Sequence, residues 1–162
     1  MRRFAFFAPL AAVTLIAGAA AAQSPDVTVV LGPGLIEKAD ELGERDLLQQ
    51  ADQLAVTVER ALAREQALTG ATISLVLVDI RPNRPTFAQL AAQPGLDGMR
   101  SKSIGGATIE GEVTLADGTR YPVRYDWYSS SLAEVRGFTT WQDASHAFDR
   151  FARRLATGRL AG

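Results

Sequence analysis

Residues 104–128 contain the pattern that most restricts the fold of this chain, because apolar and polar side chains alternate along two runs. Alternation with a period of two predicts strands, and the turn residues between the runs predict a hairpin. A two-residue turn at Asp117-Gly118 would set the apolar face of one strand beside the polar face of the other, so side-chain parity excludes it. A three-residue loop over 116–118, with Gly118 left-handed, restores parity and places Glu110 opposite Arg124. The same register predicts the pairs Val113 with Tyr121, Ile109 with Tyr125 and Ala107 with Trp127.

Two amphipathic segments are expected to cover the apolar face of this hairpin. Residues 44–66 and 141–156 both carry apolar side chains at spacings of three and four, which predicts helices. Thr140 is the expected N-cap of the second helix, with Asp143 completing a capping box. His146, the only histidine, lies on the opposite side of that helix from its apolar stripe and is expected to face solvent.

Two further segments complete the predicted sheet. Residues 27–31 are rich in β-branched residues, and residues 71–80 end in an apolar run typical of a central strand covered on both faces. The order strand, helix, strand, strand, strand, helix predicts an α+β two-layer sandwich, with a four-stranded mixed sheet and both long helices on one face. Polar side chains of the hairpin leave the other face at least partly open to water. These are Thr108, Glu110, Glu112, Arg120, Arg124 and Asp126.

Residues 1–22 have the features of a secretory signal peptide. Arg2 and Arg3 form a basic start, an uncharged and mostly apolar run follows, and small residues precede a cut expected after Ala22. The alternative is an uncleaved membrane anchor, which the alanine-rich end of the run disfavours. We therefore expect general secretion, a single domain over residues 23–162 with no transmembrane anchor, and a location in the periplasm or the medium.

The composition of the expected mature chain excludes several classes of function. Removal of Arg2 and Arg3 with the signal peptide lowers the number of basic residues from 17 to 15, against 18 acidic residues. The net charge of the mature chain is then −3, so no basic field indicates nucleic-acid binding. The absence of cysteine excludes disulfides, thiolate metal sites and cysteine catalysis, and one histidine excludes a multi-histidine metal cluster. No nucleophile–base pair or phosphate loop occurs, so we expect no catalytic residue, no metal site and no cofactor.

The connection from residue 81 to residue 102 is the region that most indicates a binding surface. It contains three prolines and a short helix that Thr86 is expected to cap. The segment carries four basic residues and one acidic residue, Asp97, so its local charge is +3. Arginine is suited to binding carboxylates or phosphates. Gly105-Gly106 follow, a backbone that an anion could approach closely. The candidate binding residues are Arg81, Arg84, Arg100, Ser101, Lys102 and Ser103. The alternative is a packed loop whose arginines offset the acidic charge of the first helix region.

The arrangement resembles small secreted proteobacterial proteins of unknown function. The resemblance rests on an exported strand and a Leu/Ala-rich helix ahead of the strand that runs from Gly70-Ala71-Thr72-Ile73 to Asp79-Ile80, followed by a proline-rich connection and a tyrosine-bearing hairpin. It covers most of the mature chain and implies an envelope protein, with no activity and no functional residues to carry over.

These observations lead to one functional expectation and two alternatives. We expect an exported, non-enzymatic envelope or periplasmic protein that binds a protein or anionic envelope partner through the 81–102 loop. The first alternative is a small secreted hydrolase with carboxylate chemistry, which requires a cleft at that loop and a buried acid such as Asp79. The second is a structural or chaperone-like module that lends a sheet edge to another chain, which an unpaired edge along residues 27–31 would favour.

Overall fold

A computed structural model of the chain describes residues 23–135 and 138–160, so the predicted signal peptide lies outside the described residues. Its strands are β1 (Asp26–Leu31), β2 (Thr72–Arg81), β3 (Gly106–Thr114) and β4 (Arg120–Tyr128). Its helices are α1 (Pro33–Glu37), α2 (Ala39–Leu42), α3 (Glu44–Glu65), α4 (Phe87–Ala92) and α5 (Gln142–Ala156). None of the helices in these described ranges is both long enough and apolar enough to span a bilayer.

The sheet has the predicted mixed character and the strand order β1-β2-β3-β4. β1 runs parallel to β2, and the remaining neighbours are antiparallel. The hairpin register is confirmed, because Glu110 pairs with Arg124 and the three predicted apolar pairs all form. Gly118 has φ +84°, as the three-residue loop requires, and the Thr119 amide donates to the Asp117 carboxylate at 2.8 Å. The Thr119 hydrogen bonds lower the pKa of Asp117.

One apolar core lies between the sheet and the two long helices, which confirms the α+β class. α3 and α5 pack against each other, α3 also contacts β1, and α5 also contacts β3 and β4. The fully buried side chains at this interface come from every layer; they include Leu47, Leu54 and Leu62 from α3, Phe148 and Leu155 from α5, and Ile73, Leu75, Leu77, Ile80 and Ile109 from the sheet. Burial of these side chains is the main term that stabilises the fold.

Two local predictions are wrong. Residues 76 and 78 of β2 are only half-buried on the open face, and Ser74 is exposed, so the central strand is not covered on both faces. Its apolar run instead combines buried core residues on one face with half-buried valines on the other. The second error concerns the start of α5: its N-cap is Trp141, not Thr140, and no side chain makes a capping hydrogen bond there. The short helix α4 does have the predicted cap, a capping box between Thr86 and Gln89.

A β-bulge at Val78 decides which residues of β2 enter the core. Leu75 and Leu77 face the core, so unbroken alternation would also direct Asp79 inward. The register shifts between Leu77 and Asp79, which places Asp79 opposite Thr108 on the open face and buries Ile80 instead. The bulge therefore keeps a carboxylate out of the apolar core and presents it at the end of the sheet.

Candidate functional site

The open face carries a polar cluster centred on Asp79, at the end of the sheet where the long connection begins. Three donors reach its carboxylate: Lys38 Nζ lies 3.6 Å from Oδ1, and Arg81 Nε and Tyr128 Oη lie 3.2 and 2.9 Å from Oδ2. Tyr128 Oη also lies 2.8 Å from the hydroxyl of Thr108. The cluster thus links β2, β3 and β4 to Lys38, which lies between α1 and α2.

Tyr128 acts as a hydrogen-bond donor with a fixed position in this cluster. Burial is the main cause that raises the pKa of Tyr128 to about 12, and the neighbouring Asp79 carboxylate adds to the rise. The phenol therefore stays protonated at neutral pH, and its O–H donates a hydrogen bond to Asp79. The Arg81 guanidinium lies 4.9 Å from the centre of the Tyr128 ring, so a cation–π contact also holds this arginine in place.

Beside this cluster lies a cavity of about 450 Å³, which we call the basic groove. The α1–α2 segment, the end of β2 and the loop over residues 81–104 form its walls. Its charged side chains are three cations, Lys38, Arg81 and Lys102, and two carboxylates, Glu41 and Asp79, which leave one excess positive charge. Hydroxyls are supplied by Ser101 and Ser103. The apolar part of the lining consists of Leu42, Ile80, Pro82, Pro85, Leu96 and Ile104.

Asn83 anchors the loop that forms one wall of the groove. Its side chain is fully buried, donates to Asp143 Oδ2 at 2.6 Å and accepts from the Asp143 amide at 2.8 Å. The Asn83 amide donates to the Thr140 carbonyl at 2.7 Å, and the Ser103 amide donates to the Asn83 carbonyl at 3.0 Å. Asp143 therefore binds a loop residue instead of capping its own helix, so the start of the loop is tied to α5, and Ser103 at its other end is tied to Asn83.

The two glycines after the loop serve close packing. A Cβ at Gly105 would lie 2.7 Å from the Asn83 side chain, and a Cβ at Gly106 would lie 2.2 Å from the Trp127 carbonyl oxygen. Both glycines are buried. Their missing side chains let β3 approach Asn83 and β4, which is a different use from the contact with an anion that the sequence suggested.

The structure brings four of the six predicted binding residues to the groove: Arg81, Ser101, Lys102 and Ser103. Arg84 instead donates to the carbonyls of Gly98, at 3.3 Å, and Met99, so it holds the loop backbone. Arg100 is exposed and lies outside the groove lining. Asp97 accepts from the amides of Arg100 and Met99, which lowers its pKa and closes the turn between them.

Sequence reasoning missed two sets of residues. Lys38 and Glu41 enter the groove only because α1 and α2 fold beside the end of β2, and no local pattern indicates this. The second set is Arg150, Arg153 and Arg154 of α5 with Arg159 beyond it; the helical spacing of the first three is explained equally well by the dipole of the helix, so it indicates no site by itself. The structure gathers these arginines around one depression on the side of α5 that faces β4.

Neither the histidine nor a group of potential metal ligands lies at the groove in the described part of the chain. His146 is exposed, as expected, and its ring faces that of Trp127 with centroids 6.3 Å apart, away from the groove lining. In residues 23–135 and 138–160, no three histidine, cysteine or carboxylate side chains form a group that could hold a metal ion. No protein-family model matches the chain, and no curated protein matches it significantly.

Proposed function

We propose that this chain is an exported, non-enzymatic binding domain of the bacterial envelope, and that its basic groove holds an acidic peptide segment of a partner protein. One observation carries the proposal: Lys38, Arg81 and Lys102 line one cavity together with two serines and an apolar floor. The signal-peptide features of residues 1–22 and the resemblance to small secreted proteins support the export part.

The mixed lining favours a peptide over a densely charged polyanion. Glu41 and Asp79 would repel a second negative charge, whereas one carboxylate of a ligand could pair with Lys102. The apolar residues of the lining suit the aliphatic side chains that neighbour an acidic residue in a peptide. Arg81 is already oriented by Asp79 and by the Tyr128 ring, so its remaining N–H groups require little ordering when a carboxylate binds.

The groove is held by hydrogen bonds within the loop and between the loop and α5. Asn83 joins one end of the loop to α5, and Arg84 holds the backbone near Met99. A preformed site loses less entropy on binding than a mobile loop would, which supports a binding role for this long connection.

The test compares two charge reversals in the same loop. Lys102→Glu removes a groove cation, and Arg100→Glu makes the same charge change two residues away and outside the groove. The probe is a hexapeptide library containing one aspartate or glutamate, with a matched amide library as the ligand control, measured by fluorescence anisotropy on residues 23–162. We expect the Lys102 variant to lose about tenfold in affinity and the Arg100 variant to lose little. Equal losses, or equal binding of both libraries, would contradict the proposal.

A second candidate is the sheet-edge module, because β1 does form one edge of the sheet. Val30 on this strand is 52% exposed, and neither proline nor lysine interrupts Asp26–Leu31. The Asp26 and Gly32 amides donate to β2, so the alternate amide of Val29 points to the open edge. Val29→Pro would remove that edge amide and is expected to abolish strand addition while the Lys102→Glu change leaves it intact. Retained partner binding in the Val29 variant would exclude this candidate. No comparable observation favours the hydrolase alternative, since both oxygens of Asp79 are engaged by Lys38, Arg81 and Tyr128.

A further inference from the structure

We infer that the C-terminal half of α5 forms a second anion site, separate from the basic groove, that takes a phosphate-bearing ligand. The site is a depression of about 390 Å³. Its lining consists of Tyr125, Arg150, Arg153, Arg154, Thr157 and Arg159. We call it the arginine site. No residue of the basic groove contributes to it, so the two sites can be tested independently.

Aromatic side chains of β4 hold two of the guanidinium groups in defined positions. Arg150 Cζ lies 5.0 Å from the centre of the Trp127 ring, and Arg154 Cζ lies 5.5 Å from the centre of the Tyr125 ring. Arg150 and Arg154 lie four residues apart on α5, a rise of about 6 Å, and the two rings lie two residues apart on β4, a rise of about 7 Å, so each arginine can cover one ring. A guanidinium that rests on a ring face can still donate from its edge, so this stacking orients the donors for a ligand.

The lining of the arginine site contains no carboxylate, in contrast to that of the basic groove. Within the described part of the chain, Arg153 and Arg159 make no ion pair and no side-chain hydrogen bond, whereas Arg81, Arg120 and Arg124 each pair with a carboxylate. The carboxylate of Asp149 lies by a neighbouring depression that Arg153 shares with α3.

Stabilisation of the helix does not account for this cluster. The helix dipole favours cations in the last turn of α5, which applies to Arg153 and Arg154. Arg150 lies before that turn, and Arg159 lies beyond the helix end at Ala156. Close placement of like charges costs free energy, so an arrangement of four arginines around one depression suits a site that an anion occupies.

The number of arginines favours a phosphate over a carboxylate as the ligand of this site. One guanidinium can satisfy a carboxylate through two parallel hydrogen bonds. A phosphate presents three acceptor oxygens and a charge approaching −2, so it can use several arginines at once. The Thr157 hydroxyl lies in the same lining but donates to the Arg153 carbonyl, at 2.9 Å, so the donors to a phosphate come from the guanidinium groups. A phosphorylated group, on a soluble molecule or on a lipid headgroup, fits this site better than a single carboxylate.

The test uses two probes and matched charge changes on residues 23–162. The probes are pyrophosphate, followed by calorimetry, and vesicles of phosphatidylglycerol in phosphatidylcholine, followed by sedimentation. The site variants are the double change Arg150→Gln with Arg153→Gln and the single change Arg159→Gln, which leaves the helix untouched. The control is Arg45→Gln with Arg120→Gln, which removes the same charge from exposed positions outside the site.

We expect the double site variant to weaken binding of at least one probe by about tenfold or more, and the control to retain it. Loss confined to pyrophosphate assigns a soluble phosphorylated ligand, and loss confined to vesicles assigns a lipid headgroup. The inference is overturned if neither probe binds the wild-type chain at about 1 mM, or if site variants and control lose affinity equally. Lys102→Glu should leave these affinities nearly unchanged, so the outcome is separable from that of the basic groove.

Discussion

The side-chain amide of Asn83 donates to the Asp143 carboxylate at 2.6 Å and thereby links residues 60 positions apart in the chain. Ser129 Oγ donates to the same carboxylate oxygen at 2.7 Å, so the end of β4 joins the link. All three residues are buried. This network sets where the long loop lies against α5 and therefore shapes the wall of the basic groove.

Asn83→Ala should destabilise the fold by about 2–4 kcal/mol, because it leaves the buried Asp143 carboxylate and amide without their Asn83 partners. Urea unfolding of the variant measures the change. Ser129→Ala serves as the comparison: it removes one donor to Asp143, and we expect a smaller loss. A loss below about 1 kcal/mol for Asn83→Ala would mean that water replaces the network at little cost.

Gly106→Ala should disrupt the pairing of β3 with β4. Gly106 has φ +150°, and the added Cβ would lie 2.2 Å from the Trp127 carbonyl oxygen, which is backbone and cannot move aside easily. We expect a loss of about 3 kcal/mol or more in thermal or urea unfolding. Gly34→Ala is the matched control, because its Cβ would meet nothing within 4 Å. Equal stability of the two variants would contradict the packing role of Gly106.

Phe148→Ala should cost about 3–5 kcal/mol, since this side chain is fully buried between α5 and the rest of the core. Phe87→Ala makes the same truncation at a side chain that is 86% exposed and should change the free energy of unfolding by less than about 0.5 kcal/mol. Trp141, which the sequence placed in the core stripe, is only half-buried, so its truncation should fall between these two. Calorimetric unfolding of the three variants measures the order of their stabilities.

Tyr128 should make stability depend on pH in the alkaline range. Its pKa is raised in the folded state from 10.0 to about 12, so the folded chain binds the phenol proton more tightly than the unfolded chain does. The resulting stabilisation is fully present below pH 10 and is lost as the pH rises toward 12. Tyr128→Phe should unfold with a shallower pH dependence over that window in urea titrations. Parallel curves for variant and wild type would show that the phenol is not held as described.

At neutral pH, the same Tyr128→Phe change should cost about 0.5–1.5 kcal/mol, because it removes the hydrogen bonds to Asp79 and Thr108 but keeps the ring under Arg81. Tyr121→Phe, at the end of the hairpin where the side chain is 38% exposed, is the control and should be nearly neutral.

The four strands, the two long helices and the register of the hairpin could be predicted from periodic patterns in the sequence. Alternation along residues 104–128 and the parity of its loop determine how Glu110 meets Arg124, because side chains of a strand have a period of two and paired residues share a face. The apolar stripes of α3 and α5 follow in the same way from the helical period. These patterns were sufficient to predict the α+β class.

Only the tertiary structure decided the composition of the two sites. The bulge at Val78 breaks the alternation that predicts where Asp79 points, and a bulge leaves no periodic signal in the sequence. Lys38 meets Asp79, and Asn83 meets Asp143, through contacts between segments that are far apart in the chain. The spacing of the arginines on α5 was visible, but the rings of Trp127 and Tyr125 that orient two of them come from another element. Local periodicity records which face of an element is buried, whereas a site depends on which elements meet, and packing alone determines that.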